Sequence, residues 1–359
     1  MKKKFLLTVV GARPQFIKAA MVSKIIKTYK NLNETIIHTG QHYDENMSKI
    51  FFKKLKIKKA KYNLNVNNLS HNLMLSEILL KLDNIYEKEK PDGVIVYGDT
   101  NSSLGAALCA KKRNIPLFHI ESGVRNYDEN MPEESNRYLI DRISDINFCA
   151  TELNVKNLIK EGFNLNTINS KIVKSGDVMY DLFKKFKNNQ TKKIISQKKD
   201  YILSTIHRES NVERENCLKN IIMALNEINK SIPVILILHP RTKKKIFARN
   251  IICDFKVIDP IGYKEMMSYL LSCKYVITDS GGLVREAYFA KKKSLFILDN
   301  PVWPEIISQK FCINISPNKT KILNSFKKLL RYKGVHKKSL FGNGKASSAI
   351  VKKIINFLN

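Results

Sequence analysis

The stretch GVIVYGDTNSSLGAALCAKKRNIPLFHIES, residues 93–122, decides the fold of this chain. It opens with a short apolar run rich in β-branched residues, continues with a segment of helix length and closes with a second apolar run. Runs of this kind, separated by helical segments, are typical of parallel strands joined in βαβ units. In open α/β sheets ligands bind beyond the carboxyl ends of the strands, so the polar residues directly after each run are the first candidates for function.

Short apolar runs recur along the chain in two series. The first reads FLLTVV, ETIIHT, GVIVYG, IPLFHI and DINFCA, and the second reads YILSTI, PVILIL, KVID, YVITD and SLFIL. Between them lies a lysine-rich segment, residues 181–200, and this change in composition indicates a domain boundary. We therefore predict an α/β fold with two doubly wound, Rossmann-like domains that face a cleft. The predicted domains span residues 1–182 and 183–345, and the helical pattern of residues 346–359 predicts a helix that packs back on the first domain.

The composition is typical of an ordinary globular protein, with 359 residues of which 43% are hydrophobic and 26% charged. No apolar run approaches the roughly 20 residues needed to cross a bilayer, and the first apolar run is too short for a secretory signal. The six cysteines lie far apart without a C-x-x-C pair, which argues against a zinc ribbon or a disulfide framework. We expect a cytoplasmic protein with reduced thiols and no membrane partner.

The chain carries a formal net charge of +31, which raises the question of a nucleic-acid partner. Most of the excess is lysine scattered through helix-like segments, and the sequence contains neither an aromatic-interleaved basic motif nor a zinc-finger spacing. We therefore predict no nucleic-acid binding. The excess positive charge would still attract anionic ligands.

Polar residues with chemical potential follow several strands of the first series. GARPQFIK follows the first strand, where Gly11 permits a tight turn and Arg13 and Lys18 place cations at the start of a helix, although a plain strand–turn–helix with surface cations explains them equally well. Three acids stand at or beyond later strand ends: Asp99, Glu121 and Glu133. Each alone fits ordinary helix-start chemistry, but together they suggest proton transfer.

In the second series, two strands are each followed by a histidine with an arginine one or two positions later. His207 precedes Arg208, and His239 precedes Arg241 by two positions. A lone histidine is more often structural than catalytic, whereas two such pairs suggest a site that binds an anion and moves protons.

The motif ITDSGGLVREA gives the most specific local signal. Ser280, Gly281 and Gly282 precede a helix and would expose backbone N–H groups to a phosphate. Glu286, one turn further, is placed to accept hydrogen bonds from ribose hydroxyls.

Taken in order, the motifs resemble the non-hydrolysing UDP-N-acetylglucosamine 2-epimerase family. They cover nearly the whole chain: GARPQFIKAA, HTGQHYDENM, VYGDTNSSLGAAL, HIESGVR, MPEESNR, IHRESNVE, HPRTKK, TDSGG and WPE. The resemblance implies a fold like glycosyltransferase-B, a homodimer, a UDP-sugar substrate and no metal, nicotinamide or other cofactor. It also implies inversion at C2 of the amino sugar, by elimination of UDP to a glycal and re-addition after protonation on the other face, to supply surface polysaccharide precursors.

The resemblance also implies roles for individual residues. Asp99, Glu121 and Glu133 match the acids of the proton-transfer machinery, and His207 matches the histidine that supports the diphosphate. The remaining residues would bind substrate, either at the phosphates or at the ribose: Arg13, Lys18, Arg208, His239, Ser280, Gly281, Gly282 and Glu286.

Departures from the family pattern surround the nucleotide. Ser210 stands where a glutamate is usual, Val284 and Arg285 replace Gln and Glu, and Pro301 and Val302 lie in a segment that also differs. GARPQFIKA and HTGQHYDENM look closer to relatives that epimerise UDP-2,3-diacetamido-glucuronic acid, so this substrate is an alternative to UDP-N-acetylglucosamine. A glycosyltransferase of the same architecture and a hydrolysing epimerase remain further alternatives.

Overall fold

The computed structural model describes residues 3–41, 59–163, 168–194, 200–299 and 303–359, apart from the side chains of Arg13 and residues 189–194. The chain divides into two compact units, one of residues 1–182 with 338–359 and one of residues 183–337. Three predictions from the sequence fall outside the described part: those on the side chain of Arg13 and on the residues Pro301 and Val302.

The first unit is built on a parallel sheet. Seven strands form it in the described part of the chain: β1 (Lys4–Val10), β2 (Leu32–His38), β3 (Tyr62–Asn63), β4 (Gly93–Tyr97), β5 (Leu117–Ser122), β6 (Ile146–Cys149) and β7 (Lys171–Lys174). Their order is β3-β2-β1-β4-β5-β6-β7, and every neighbouring pair is parallel. The described helices are α1 (Arg13–Ile26), α2 (His71–Glu89), α3 (Asn101–Lys112), α4 (Pro132–Ile143), α5 (Glu152–Lys160) and α6 (Val178–Ile194).

The stretch 93–122 forms β4, α3 and β5, as its pattern predicts. All five residues of β4 are buried, which is why its sequence is a continuous apolar run. On one face of the sheet, α2 packs on α3 with Ile78, Leu82 and Tyr86. Gly105 of α3 permits this approach, because a Cβ there would lie 2.6 Å from Cγ2 of Ile78.

The second unit repeats the architecture. Within the described residues its sheet has six parallel strands: β8 (Ile202–Thr205), β9 (Val234–Ile237), β10 (Lys256–Ile258), β11 (Tyr275–Thr278), β12 (Lys293–Ile297) and β13 (Cys312–Ile315), in the order β10-β9-β8-β11-β12-β13. The helices are α7 (Glu209–Val212), α8 (Glu215–Asn229), α9 (Pro240–Ala248), α10 (Tyr263–Ser272), α11 (Gly281–Phe289), α12 (Pro304–Ser308) and α13 (Lys319–Arg331). Apolar faces of α8 and α13 form much of its core. Two doubly wound α/β sheets are thus confirmed.

The last helix, α14 (Ala346–Leu358), packs on α1 in the first unit. Asp181 holds its start, because the carboxylate accepts hydrogen bonds from the backbone N–H groups of Ala346 at 3.0 Å and Ser347 at 2.7 Å. Burial raises the pKa of Asp181 in spite of these hydrogen bonds. Residues 338–359 belong to the first unit, where the Phe341 carbonyl accepts from the Asp177 N–H at 3.0 Å.

Strand order places the functional candidates. In each sheet the chain winds in both directions from a central pair, β1 and β4 in the first and β8 and β11 in the second. The residues after such a pair meet at the carboxyl edge of the sheet, where α/β proteins bind ligands. Among the described residues, no helix is long and apolar enough to cross a membrane.

Candidate active site

Gln15 joins the turn after β1 to the turn after β4. Its buried carboxamide oxygen accepts from the N–H groups of Gly11 at 2.7 Å and Ala12 at 3.0 Å. Its nitrogen lies 2.6 Å from the Tyr97 carbonyl oxygen and 2.9 Å from Oγ1 of Thr100. The two loops are therefore fixed to each other. Gln15 lies within the motif GARPQFIK, but no local pattern in the sequence predicts this role.

Lys18 and Glu121 form a direct ion pair at this edge. The ammonium group of Lys18, on α1, contacts Oε2 of Glu121 at the end of β5, and both side chains are largely buried. Glu121 has a φ of 76° and lies at a bulge in β5, between Ile120 and Ser122. A left-handed backbone at a glutamate is unfavourable, and such strained residues cluster at functional sites.

Gly98 leaves room beside this ion pair. Its φ is 60°, and a Cβ there would lie 3.4 Å from Oε2 of Glu121 and 3.7 Å from Nζ of Lys18. A glycine at this position therefore gives both the left-handed turn and an uncovered face of the pair.

Asp99, the next residue, is held by Arg137 of α4. Nε and Nη2 of Arg137 donate to Oδ2 of Asp99 at 2.9 and 2.5 Å, and Asn136 donates to the Asp99 carbonyl at 2.8 Å. Burial on its own would raise the pKa of Asp99, but the charges of Arg137 and Lys18 outweigh it and hold that pKa below its usual value. Asp99 is thus kept ionised at neutral pH, as a proton acceptor must be.

Glu133 and Glu134 are neighbours in sequence with opposite environments. Glu133 is exposed on the first turn of α4, and its side chain makes no ion pair or hydrogen bond to the described residues. Glu134 is only 1% exposed, pairs with Nη1 of Arg137 at 2.5 Å and accepts from the N–H groups of Asn126 and Tyr127 at 2.9 Å each. The structure brings Asp99 and Glu121 close to Lys18, and it leaves Glu133 facing solvent.

Asp279 organises the edge of the second unit. It is fully buried after β11 and accepts from the backbone N–H groups of His207 at 3.0 Å and Arg208 at 2.9 Å, and from the Asn211 amide at 3.2 Å. Nδ1 of His207 lies 3.1 Å from its Oδ1. The carboxylate therefore orients the His207 ring, whose side chain is 38% exposed. The motif TDSGG contains Asp279, but only the residues after it were singled out from sequence.

The other predicted residues of this unit lie close by. The ring centroid of exposed His239 is 5.9 Å from that of His207, and Nδ1 of His239 accepts from the Arg241 N–H at 3.3 Å at the start of α9. Nε of Arg208 donates to the Asp279 carbonyl at 3.2 Å.

The helix α11 begins at the glycine pair. Ser280 caps it by accepting from the Leu283 N–H at 3.3 Å, and Gly281 and Gly282 form its first positions. Glu286 is buried one turn further along the helix. A helix N-terminus with small residues presents backbone donors to an anion.

The substituted Arg285 is also buried on α11. Its guanidinium lies 4.7 Å from the ring centroid of Trp303, at cation–π distance. This departure from the family pattern therefore belongs to the packing of the second unit.

The chemistry follows from these two edges, each considered within its own unit. The first presents carboxylates neutralised by cations and suited to moving a proton, and the second presents a histidine, an arginine and a helix N-terminus suited to an anion. The fold and these edges define a two-unit α/β protein with an acidic edge in one unit and an anion-suited edge in the other.

Comparison with known proteins gives the family. The model described as UDP-N-acetylglucosamine 2-epimerase matches residues 24–355, and the chain belongs to this family. The protein is an epimerase, and epimerases are isomerases by reaction class. The predictions of the family and of the reaction class are both confirmed.

Relatives match over nearly their whole length. The UDP-2,3-diacetamido-2,3-dideoxy-D-glucuronate 2-epimerase of Pseudomonas aeruginosa is 42% identical over 349 residues, which are 97% of this chain and 98% of the relative. The UDP-N-acetylglucosamine 2-epimerase of Methanocaldococcus jannaschii is 36% identical over 96% of this chain and 97% of its own. The crystal structure of a Methanocaldococcus jannaschii UDP-GlcNAc 2-epimerase in complex with UDP-GlcNAc and UDP superposes with a TM-score of 0.89 at 35% identity, covering 98% of this chain and 99% of that one. The predicted glycosyltransferase-B-like fold is confirmed by this structural similarity.

Proposed function

We propose that this protein interconverts UDP-N-acetylglucosamine and UDP-N-acetylmannosamine without net hydrolysis. The observation that carries the proposal is the pair of ionised carboxylates, Asp99 and Glu121, at the ends of the adjacent strands β4 and β5, each in contact with a cation. Epimerisation at C2 requires a proton to leave a carbon atom and to return on the other face, and carboxylates held ionised are bases for the first step.

The bond changes balance without an external reactant. The proton at C2 passes to a carboxylate, the C1–O bond to the diphosphate breaks with its electron pair leaving on UDP, and a C1–C2 double bond forms. Protonation of C2 on the opposite face and re-addition of UDP at C1 complete the inversion. Asp99, Glu121 and Glu133 are proposed for these proton transfers, with Lys18 and Arg137 holding the first two.

The second unit is proposed to bind the nucleotide. Ser280, Gly281 and Gly282 would hold phosphate at the N-terminus of α11, and Glu286 would accept from the ribose. His207, Arg208 and His239 would contact the diphosphate. In the first unit, Arg13 and Lys18 are proposed as substrate-binding residues. Because Nδ1 of His207 faces Asp279, its Nε2 is the nitrogen for the ligand. The first unit is correspondingly proposed as the domain of the acidic residues.

A second substrate has specific support. The relative from Pseudomonas aeruginosa, at 42% identity, acts by its name on UDP-2,3-diacetamido-2,3-dideoxy-D-glucuronate. The same elimination and re-addition would apply to that sugar, because the changes occur at C1 and C2. The family resemblance further supports a cytoplasmic homodimer that supplies precursors for surface polysaccharide.

Proton NMR in deuterated water tests the proposal. With UDP-N-acetylglucosamine we expect deuterium at C2, a manno-configured product and little free UDP. Glu121→Gln should reduce the exchange by about 10²–10⁴-fold, whereas Asp83→Asn, which removes a surface ion pair with Arg113, should preserve it. If only the diacetamido-glucuronate sugar exchanges, the second substrate is correct.

Two other outcomes would overturn the proposal. Accumulation of free UDP with no return to nucleotide sugar would identify a hydrolysing enzyme. Loss of nucleotide only after an acceptor is added would identify a glycosyltransferase.

A further inference from the structure

His119 lies inside the first unit between two hydrogen-bond acceptors. It is 1% exposed on β5, with Nδ1 2.7 Å from Oδ1 of Asp141 and Nε2 2.8 Å from the Gly98 carbonyl oxygen. A carbonyl cannot donate, so Nε2 must carry the hydrogen of that contact. A neutral imidazole would then have no hydrogen on Nδ1, and two acceptors would face each other unless Asp141 were protonated.

Asp141 is surrounded by hydrogen-bond donors. It is fully buried, and Oδ2 accepts from Nη1 of Arg125 at 2.8 Å and from the Gly123 N–H at 3.0 Å. Burial alone would raise the pKa of Asp141, but the contact with His119, the charge of Arg125 and the Gly123 hydrogen bond hold that pKa below its usual value. Arg125 and the Gly123 N–H both favour the ionised carboxylate, and an ionised Asp141 can accept the hydrogen of this contact from Nδ1.

The surrounding charges compensate one another, which makes a buried imidazolium possible. Arg125 also pairs with both oxygens of Glu161 at 2.7 Å each, and its guanidinium lies 4.3 Å from the ring centroid of Tyr138. Two cations, His119 and Arg125, thus alternate with two carboxylates, Asp141 and Glu161. A buried charge of this kind is tolerated only when it is paired and hydrogen-bonded.

This chain of charges ends at the turn that carries Asp99. The Gly98 carbonyl accepts from His119, and the Gly98 N–H donates to the Ile120 carbonyl at 2.9 Å, so both polar groups of this glycine are held by β5. Asp99 follows directly, and Glu121 lies two residues after His119 on the same strand. The hydrogen bond from the His119 ring to Gly98 therefore helps to set the distance between the carboxylates of Asp99 and Glu121.

We propose that His119 is a positioning residue that stays protonated throughout turnover and fixes the Gly98–Asp99 turn on β5, and so sets where Asp99 stands relative to Glu121. It does not exchange a proton with the substrate. Its protonation state follows from the structure alone, and only its kinetic consequence rests on the proposed epimerase function.

The protonation state is tested by NMR of the ¹⁵N-labelled full chain. One of the seven histidines should show hydrogens on both ring nitrogens throughout the pH range in which the protein is folded. This signal should be missing from the His119 variants. A neutral tautomer at this site would overturn the proposal, whether or not the protein is an epimerase.

Two variants separate positioning from stability. In His119→Gln the amide nitrogen reaches the place of Nε2 and can still donate to Gly98, whereas in His119→Asn it reaches only the place of Nδ1 and Asp141. Phe118→Leu is the matched control, since Phe118 is a buried neighbour on β5 whose ring contacts Phe357 of α14 at 5.6 Å, on the opposite face of the strand.

All three variants should unfold more easily than the wild type. We expect kcat to fall by about 100-fold in His119→Asn, by less than about 10-fold in His119→Gln and not at all in Phe118→Leu, with KM nearly constant. Equal kcat values for the two His119 variants, or a loss of kcat in Phe118→Leu that follows its stability, would refute positioning through Gly98. If the wild-type protein epimerises neither sugar, the proposed function fails and the NMR result still decides the state of His119.

Discussion

Replacing Arg137 by methionine removes the cation that two carboxylates share. In the native protein the guanidinium contacts Oε2 of Glu134 at 2.5 Å and Oδ2 of Asp99 at 2.5 and 2.9 Å. Methionine keeps much of the side-chain volume, so the effect will come mainly from the lost charge and not from a cavity. Glu134 is only 1% exposed, so its unpaired carboxylate lowers the free energy of unfolding more than that of Asp99 does.

The expected magnitude follows from what each carboxylate retains. Breaking a buried ion pair by removing one partner costs about 3–5 kcal/mol. Glu134 keeps its hydrogen bonds from Asn126 and Tyr127, and Asp99 has a side chain that is 31% exposed and within reach of water. We therefore expect the lower end of the range, a loss of about 3 kcal/mol in the free energy of unfolding of the first unit.

Hydrogen exchange read by mass spectrometry measures this loss in peptides of α4 and β5. Trp303, the single tryptophan of the sequence, lies in the second unit, so its fluorescence follows that unit separately. Arg142→Met, on an exposed position of the same helix, is the control and should change stability by no more than about 0.5 kcal/mol. Equal protection in the two variants would refute the assignment.

Acid provides a second check on the same variant. The folded-state pKa of Asp99 is lowered by Arg137 and Lys18 against the effect of burial, so this carboxylate contributes stability above its unfolded pKa of about 3.9. That contribution disappears as the pH falls through the lower folded value, and the difference between wild type and Arg137→Met should narrow there. Arg137→Met combined with Glu134→Met should recover part of the neutral-pH loss, because the buried carboxylate of Glu134 is gone, while the N–H groups of Asn126 and Tyr127 lose their acceptor. A difference that widens in acid would contradict the reasoning.

Four further substitutions test the two edges. Glu133→Gln should lower kcat with no change in thermal stability, because the side chain is exposed. Glu134→Gln should lower thermal stability, because its contact with Arg137 is buried. Differential scanning calorimetry and a coupled epimerase assay distinguish the two variants. Glu121→Gln should reduce deuterium incorporation at C2 by about 10²–10⁴-fold while UDP affinity, measured by calorimetric titration, stays within about threefold. Asp279→Asn should weaken UDP binding by about tenfold or more in the same titration, because His207 loses the carboxylate that orients its ring; unchanged affinity would mean that His207 does not bind the nucleotide.

The sequence was enough to determine the architecture and the strand ends. Buried parallel strands must be apolar and their crossovers must be long, so runs such as GVIVYG and IPLFHI identify themselves without knowledge of their neighbours. The carboxyl ends of such strands lie at one edge, which is why Asp99, Glu121 and His207 stood out as candidates from the pattern alone.

Only the tertiary structure decided which polar side chains complete the edges. Gln15 acts through Tyr97 and Asp279 through His207, partners that lie 82 and 72 residues away in the chain. Glu133 and Glu134 are identical in type and adjacent in sequence, but successive helical residues point about 100° apart, so packing of α4 sends one carboxylate to solvent and the other to Arg137. Local sequence carries periodicity, whereas the rotation of a helix on its sheet and the pairing of distant charges depend on contacts that exist only after folding.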